Sequence, residues 1–128
     1  MTGLDAARPG RTIVRLRGAL DFGAAKELRE RLIDVLHRGA NPLIIDLSRV
    51  PSCDTAGLAV LIGTQRRARL LGSVVLLAAP GVSVGEHLRS TGLHRHFTIY
   101  PDLPAALAHA SARPAEQGEA DFPELAVG

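Results

Sequence analysis

The order of apolar patterns along this 128-residue chain predicts an α/β fold. Short runs with β-branched residues, which are typical of strands, alternate with longer segments whose apolar residues recur every three or four positions, as in helices. The pattern strand-then-helix occurs four times, and this alternation favours a layered fold with parallel strands and right-handed crossovers. The length suits one domain whose core is large enough to fold without disulfides.

The first half of the chain is predicted to form two strands and a helix between them. The strands lie at residues 12–17 and 43–47, and Asp21 immediately precedes the helix. Gly39 follows the last helical turn, in the position where glycine commonly ends a helix. One stripe of this helix is predicted to be buried, and it consists of Ala25, Leu28, Leu32, Val35 and Leu36.

The second half begins with a helix predicted over residues 55–71, which Gly72 ends. Its apolar side is predicted from Leu58, Leu61, Ile62 and Leu70. Its carboxyl-terminal half is rich in arginine, which the helix dipole favours and which most simply forms a solvated face. The remaining elements are a strand, a helix, a strand and a helix, at 73–79, 82–91, 97–100 and 103–110.

Composition argues against several classes of function. Aromatic residues make up only 3% of the chain, and the net charge is +2, so neither base stacking nor electrostatics favours direct binding of nucleic acid. A single cysteine, Cys53, excludes an internal disulfide and a cysteine-based metal cluster. Residues 1–11 lack the apolar core of a signal peptide, and no apolar run could span a bilayer. We therefore expect a cytoplasmic protein with no membrane span.

The loop before the second helix concentrates polar side chains. Asp54 precedes the first helical residue, so its carboxylate is expected to cap the unpaired N–H groups of the first turn. Thr55 is expected to expose its hydroxyl beside those groups. Gly57 is unfavourable within a helix and indicates a backbone that something approaches closely. Cys53 is either a reactive thiol at a helix start or, more commonly for such residues, a small buried apolar side chain.

The sequence offers little support for catalysis. An acyl-transfer nucleophile needs a base within hydrogen-bond reach, and none of the five histidines can be placed beside Thr55 from the sequence. Lys26 is the only lysine, and no glycine-rich phosphate loop contains it. The histidines at 87, 94 and 96 lack the spacing of a metal site. We therefore predict a protein that is not an enzyme and that needs no cofactor or metal.

Three stretches resemble the STAS domain family, which takes its name from sulfate transporters and anti-sigma factor antagonists. One of them, STGLHRHFTIYPDLPAAL at residues 90–107, is similar to the family's closing helix, loop, strand and helix. The stretch RGALD, Arg17–Asp21, is similar to the family pattern G-x-L/I-D. The stretch LIIDLSRVPSCDTAGL, residues 43–58, is similar to the core signature D-L-S-x-V-x-x-x-D-S-x-G-L. The resemblance covers roughly residues 12–110 and is strongest to stand-alone bacterial antagonists. It implies a STAS-type mixed β-sheet of about four to five strands flanked by about four helices.

The resemblance implies a partner-switching function. In that family, the unmodified antagonist binds an anti-sigma factor, which is a serine/threonine kinase of the histidine-kinase-like ATPase fold, and a sigma factor is released. Phosphorylation after the motif Asp breaks the complex, and a phosphatase restores it. The phosphoacceptor here would be Thr55, where many family members have Ser. The implied partner surface comprises Asp21, Asp54, Thr55, Ala56 and Gly57.

Other assemblies remain open at this point. The chain could be a STAS subunit of a lipid-transport ATPase complex or of a stress-sensing particle, binding a protein partner without phosphorylation. A small-molecule or nucleotide-binding STAS domain is a third alternative. The division expected from the sequence is an N-terminal segment at 1–11 that can form an edge strand, the domain at 12–110, and an acidic disordered tail at 111–128.

Overall fold

The predicted alternation of strands and helices is present in the computed structural model, which describes residues 10–111, 120–121 and 125–126. Each element of the predicted domain begins and ends within three residues of its expected position. The strands are β1 (Gly10–Arg17), β2 (Ala40–Arg49), β3 (Val75–Ala78), β4 (Thr98–Tyr100), β5 (Ala120–Asp121) and β6 (Leu125–Ala126). The helices are α1 (Phe22–His37), α2 (Thr55–Leu70), α3 (Val82–Ser90) and α4 (Leu103–Ser111).

The strands form one sheet in the order β4-β3-β2-β1-β5, and β6 also pairs with β1. Each helix from α1 to α3 connects two neighbouring parallel strands, as the alternating sequence pattern predicts. The α/β fold class is thus confirmed. Every strand pair among the described residues is parallel, whereas the family resemblance implies a mixed sheet.

Helices cover both faces of the sheet. Alternate side chains of a strand point to opposite faces, so Ile45 of β2 packs in the larger core with α1, α2 and α3. Its neighbour Ile44 packs in a smaller core with Ala106 and Ala110 of α4. This double burial explains why Leu43, Ile44 and Ile45 follow one another in the middle of β2 without alternating with polar residues. No helix among the described residues is both long and apolar enough to cross a bilayer.

The buried stripe of α1 is the one predicted from its spacing. The prediction for α2 was partly wrong, because Leu70 is 81% exposed while Val60, Thr64 and Ala68 are buried. The buried face of α2 contains small and polar residues, so the spacing of its large apolar residues does not reveal which face is buried. Thr64 tolerates burial because its hydroxyl donates to the Val60 carbonyl oxygen at 2.8 Å.

Both terminal segments fall largely outside the described residues. Gly10 and Arg11 belong to β1, and the rest of the proposed edge strand at 1–11 is not described. The segment 111–128, predicted as a disordered acidic tail, contains β5 and β6, which pair with β1. Its remaining residues beyond α4 lie outside the described part of the chain.

The parallel order brings three helix starts to one edge of the sheet. Because β1, β2 and β3 run in the same direction, the loops that follow them emerge at their carboxyl ends. The helices α1, α2 and α3 begin there and pack on the same face. This edge is where the sequence motifs come together.

Candidate functional site

Two loops that are far apart in sequence are joined by backbone hydrogen bonds at this edge. The Leu20 N–H donates to the Ser52 carbonyl oxygen at 3.0 Å, and the Asp54 N–H donates to the Leu20 carbonyl oxygen at 3.1 Å. Leu20 and Cys53 thereby form a short parallel bridge beyond the ends of β1 and β2. The bridge holds the two predicted motifs in fixed register.

Gly57 lies against this bridge. A Cβ atom at Gly57 would stand 2.2 Å from the Leu20 carbonyl oxygen and 2.9 Å from Leu20 Cβ. The close approach that the glycine indicated is therefore made by Leu20 of the same chain. Gly57 is buried, so the structure gives it a role in internal packing, and its contact with a partner stays a prediction.

The Asp54 carboxylate connects the starts of two helices. Its Oδ1 accepts from the Gly57 N–H at 3.0 Å, which is the predicted cap of α2, and its Oδ2 accepts from the Phe22 N–H at 3.1 Å. The Gly57 bond is the main cause that lowers the pKa of Asp54, and the N–H groups of Phe22 and Ala56 and the nearby His87 add to it. The carboxylate is solvent-exposed, yet each of its oxygens accepts a backbone hydrogen bond that holds a helix start in place.

Asp21 caps α1 in the same manner. Its Oδ1 accepts from the Ala24 N–H at 3.0 Å, and its backbone is extended as an N-cap requires. The structure brings Asp21 and Asp54 to adjacent helix starts, because Asp54 bonds the residue that follows Asp21. The two predicted acids therefore occupy one surface, and each has a structural function there.

Thr55 is the first residue of α2, and its side chain is exposed. Its hydroxyl makes no hydrogen bond within the part of the chain that the structure describes. Ala56 beside it is half-buried. Among the predicted site residues, Thr55 alone presents a nucleophilic side chain that the fold leaves unused.

Cys53 is a buried apolar side chain. Burial raises the pKa of its thiol from 9.0 to about 11, and the negative charge of Asp54 contributes a smaller part of this increase. The Cys53 backbone carbonyl oxygen lies 2.6 Å from Nδ1 of His87, which must donate because a carbonyl oxygen can only accept. His87 thereby ties α3 to the loop, a link that no local sequence pattern indicated.

Sequence patterns also missed two exposed apolar residues at this edge. Phe22 begins α1 and is 82% exposed, and Val82 begins α3 and is 78% exposed. The spacing of apolar residues along each helix does not identify these two residues, because each lies before the first residue of the repeating pattern. Isolated apolar side chains are common on surfaces, but here two of them accompany the exposed hydroxyl.

The histidines and carboxylates near this edge can be compared with the arrangements that metal sites and nucleophile–base pairs require. Within the described residues, no three His, Cys, Asp or Glu side chains are placed to hold a metal ion. The nearest histidine contact to the loop is the bond of His87 to a backbone oxygen, which does not activate Thr55 as a base would.

Comparisons with known proteins agree with this fold. The family model of the STAS domain matches residues 5–106. The structure of the anti-sigma factor antagonist SpoIIAA in its unphosphorylated form is similar, with a TM-score of 0.70 and 20% identity, covering 82% of this chain and 92% of that one. A protein of the sulfate transporter family from Wolinella succinogenes has a TM-score of 0.71 and 24% identity, covering 80% and 85%.

The STAS domain of a SulP transporter from Vibrio cholerae is also similar, with a TM-score of 0.62 and 24% identity over 80% of this chain and 86% of that chain. At such identities the structural likeness establishes the fold only. The family model, however, covers most of the residues, including both motifs of the site. The chain belongs to the STAS domain family.

Proposed function

We propose that this chain is an anti-sigma factor antagonist. In its unmodified state, the surface around Thr55 binds an anti-sigma factor of the histidine-kinase-like ATPase fold, and a sigma factor is released. That partner transfers the γ-phosphoryl group of ATP to Thr55 Oγ1; the hydroxyl loses its proton, and ADP leaves. A phosphatase then hydrolyses the ester. The chain is the substrate of this reaction, has no catalytic role, and acts in the cytoplasm.

The observation that carries this proposal is the exposed, unbonded hydroxyl of Thr55 at the start of α2. A phosphoryl group there adds about −1.5 to −2 charges at neutral pH. The positive end of the helix dipole tolerates this charge, so the fold should survive. Asp54 already accepts the Gly57 N–H, so the phosphoryl group adds charge next to a carboxylate that is itself held in place.

The added charge should weaken the binding of the partner. At a protein interface, the phosphoryl group and Asp54 must either lose water together or repel acidic groups of the partner. Either effect weakens binding by several kcal/mol. Exposed apolar residues at the same edge, Phe22 and Val82, supply area that a partner can bury.

Substitutions at Thr55 test the charge mechanism. We expect Thr55→Ala to retain partner binding and to resist phosphorylation, and Thr55→Glu to weaken binding at least about tenfold. Thr55→Gln is the matched control, because it has the size of Glu without the charge. Isothermal calorimetry with the purified partner measures all three. Equal weakening by Gln and Glu would reject charge as the cause, and loss of binding by a folded Thr55→Ala would make Thr55 a contact instead of a switch.

Mass spectrometry of the tagged protein from its native host tests the modification itself. Trypsin should release residues 50–66, which carry three hydroxyl groups, on Ser52, Thr55 and Thr64. Thr64 is buried and bonded, whereas Ser52 is exposed, so Ser52→Ala is the control for site assignment. We expect phosphate that Thr55→Ala removes and Ser52→Ala does not. Phosphate retained in Thr55→Ala would refute the assignment.

A second function draws support from the sulfate-transporter and SulP neighbours, which share this fold with TM-scores of 0.71 and 0.62, against 0.70 for SpoIIAA. In this alternative, the chain is a STAS subunit of another assembly, and the same edge docks a protein without phosphorylation. The partners that co-purify in the native-host experiment discriminate the two. A small kinase-like ATPase supports the antagonist, whereas a transporter ATPase or a scaffold, with unmodified Thr55, supports the alternative.

A further inference from the structure

A second surface lies at the other end of α2. We name it the basal patch, and it consists of Arg66, Arg67, Arg69, Leu70, Leu71 and Val74. It surrounds the end of the helix and the turn that leads into β3. The helix has 16 residues, so the patch is about 24 Å from the Thr55 surface.

The basal patch exposes apolar side chains that the fold does not use. Leu70 is 81% exposed, Leu71 47% and Val74 41%, and these are three of the five large apolar side chains on the described surface that are exposed to this degree. They lie within five consecutive residues. Clustered exposed apolar residues indicate an interaction site more strongly than scattered ones do.

Arginines surround these apolar residues. Arg66 and Arg67 lie one helical turn before Leu70 and Leu71, and this spacing places each arginine on the same side of the helix as one of the two leucines. All three arginines are exposed, and no carboxylate of the described residues forms an ion pair with them. Counted over the described residues, the patch therefore carries about three positive charges without an ion-pair partner, and it favours an anionic partner.

The combination identifies the kind of partner. We propose that the basal patch docks this protein on the anionic surface of a phospholipid bilayer. Arginines are attracted to acidic head groups, while exposed leucine and valine side chains can insert at the boundary with the acyl chains. A second copy of the chain would bring like charges together, and a nucleic acid gains little from exposed leucines. The proposal is independent of the function proposed for Thr55.

Vesicle co-sedimentation of the full chain tests this proposal. The probes are vesicles of phosphatidylcholine alone and of phosphatidylcholine mixed with phosphatidylglycerol. We expect binding to the mixed vesicles only, and weaker binding as salt is raised. Arg67→Gln with Arg69→Gln should lower the partition coefficient about 25-fold, at roughly fivefold per arginine. Leu70→Gln with Leu71→Gln should lower it about tenfold.

Matched substitutions elsewhere control for general effects. Val82→Gln removes an equally exposed apolar residue at the opposite end, and Arg29→Gln removes an exposed arginine on α1. The apolar control should leave the partition coefficient unchanged, and the charge control should change it less than twofold. Thermal melts of every variant should match the parent, because all the substituted side chains are exposed.

Three outcomes would overturn the proposal. The first is an absence of binding to anionic vesicles at low salt. The second is equal binding to both kinds of vesicle. The third is a loss of binding in the arginine variant with none in the leucine variant, since that result indicates a purely electrostatic surface for an acidic protein or a nucleic acid.

Discussion

Gly57 links a sequence motif to one atomic contact. The Leu20 carbonyl oxygen would lie 2.2 Å from an added Cβ, which is far inside van der Waals contact, and it is backbone that cannot rotate away. Glycine is therefore required at this position because the bridge between the two loops leaves no room for a Cβ atom. Helix propensity alone would favour almost any other residue.

Gly57→Ala should destabilise the protein by about 2 kcal/mol or more, because the bridge between the loops must shift to admit the methyl group. Urea unfolding measures this change. Gly63→Ala is the matched control in the same helix, since nothing lies within 4 Å of its added Cβ. That control should stabilise the protein by up to about 1 kcal/mol. A neutral Gly57→Ala would show that the bridge is not rigid.

Asp54 predicts a defined pH dependence. Its folded pKa lies below the usual value of 3.8, so the folded state binds fewer protons than the unfolded state in this range. The stabilisation is fully present above about pH 4 and is lost as the pH falls through the folded pKa. In Asp54→Asn this part of the acid dependence of the unfolding free energy should be absent. Unfolding curves between neutral pH and about pH 2 measure it, and identical pH profiles would contradict the assignment.

Cys53 should be almost inert towards thiol reagents in the folded protein. A pKa of about 11 instead of 9.0 lowers the thiolate fraction at pH 8 about a hundredfold, and burial restricts access further. Labelling with a disulfide reagent at pH 8, with and without denaturant, measures the difference. Rapid labelling of the native protein would show that the loop opens.

The elements are predicted well wherever local chemistry decides the structure. The stripe of α1 follows from spacing alone, and the caps at Asp21 and Asp54 follow from side-chain type and position. Leu70 of α2 was assigned wrongly, because the sequence cannot show that the helix rotates to bury Ala68 and Thr64 instead. Burial on α2 depends on its packing against α1 and β3, which is tertiary information.

Some residues of the candidate site could also be predicted from local sequence, whereas others depend on tertiary packing. Asp54 and Thr55 are identifiable from a cap beside an exposed hydroxyl, and the family resemblance adds their implied roles. The second bond of Asp54, to the Phe22 N–H, joins residues 32 positions apart, and no local pattern contains it. The same holds for the contact of His87 with the Cys53 carbonyl oxygen, which depends on how α3 packs.

Phe22 at the start of α1 provides a test of the proposed binding edge. Phe22→Ser should change stability by less than about 0.5 kcal/mol, because the side chain is exposed and its N–H is retained. Binding of the proposed partner should weaken about tenfold, as expected when a large apolar contact is truncated. Leu70→Ser, equally exposed at the opposite end, is the control and should bind normally. Equal affinities for all three proteins would exclude Phe22 from the interface.

At the scale of the molecule, β1 is paired on both sides by distant parts of the chain. On one side it pairs with β2, and on the other with the short strands β5 and β6 from the carboxyl-terminal segment. Removing residues 112–128 should therefore expose backbone groups along β1. Amide hydrogen exchange of β1 should accelerate in the truncated chain, while that of β3 should not. Unchanged exchange in β1 would show that these strands contribute little protection.

The Asp54 carboxylate accepts from the N–H groups at the starts of both α1 and α2, so one side chain links the two helix starts. In the proposed function, a phosphoryl group on the hydroxyl of Thr55 would change the charge of this surface while the hydrogen bonds of Asp54 stay in place. Such a switch would need no slow rearrangement between its two states. The rate of switching would then be set by the kinase, by the phosphatase and by dissociation of the partner. The unbound state would last until the phosphoester bond is hydrolysed.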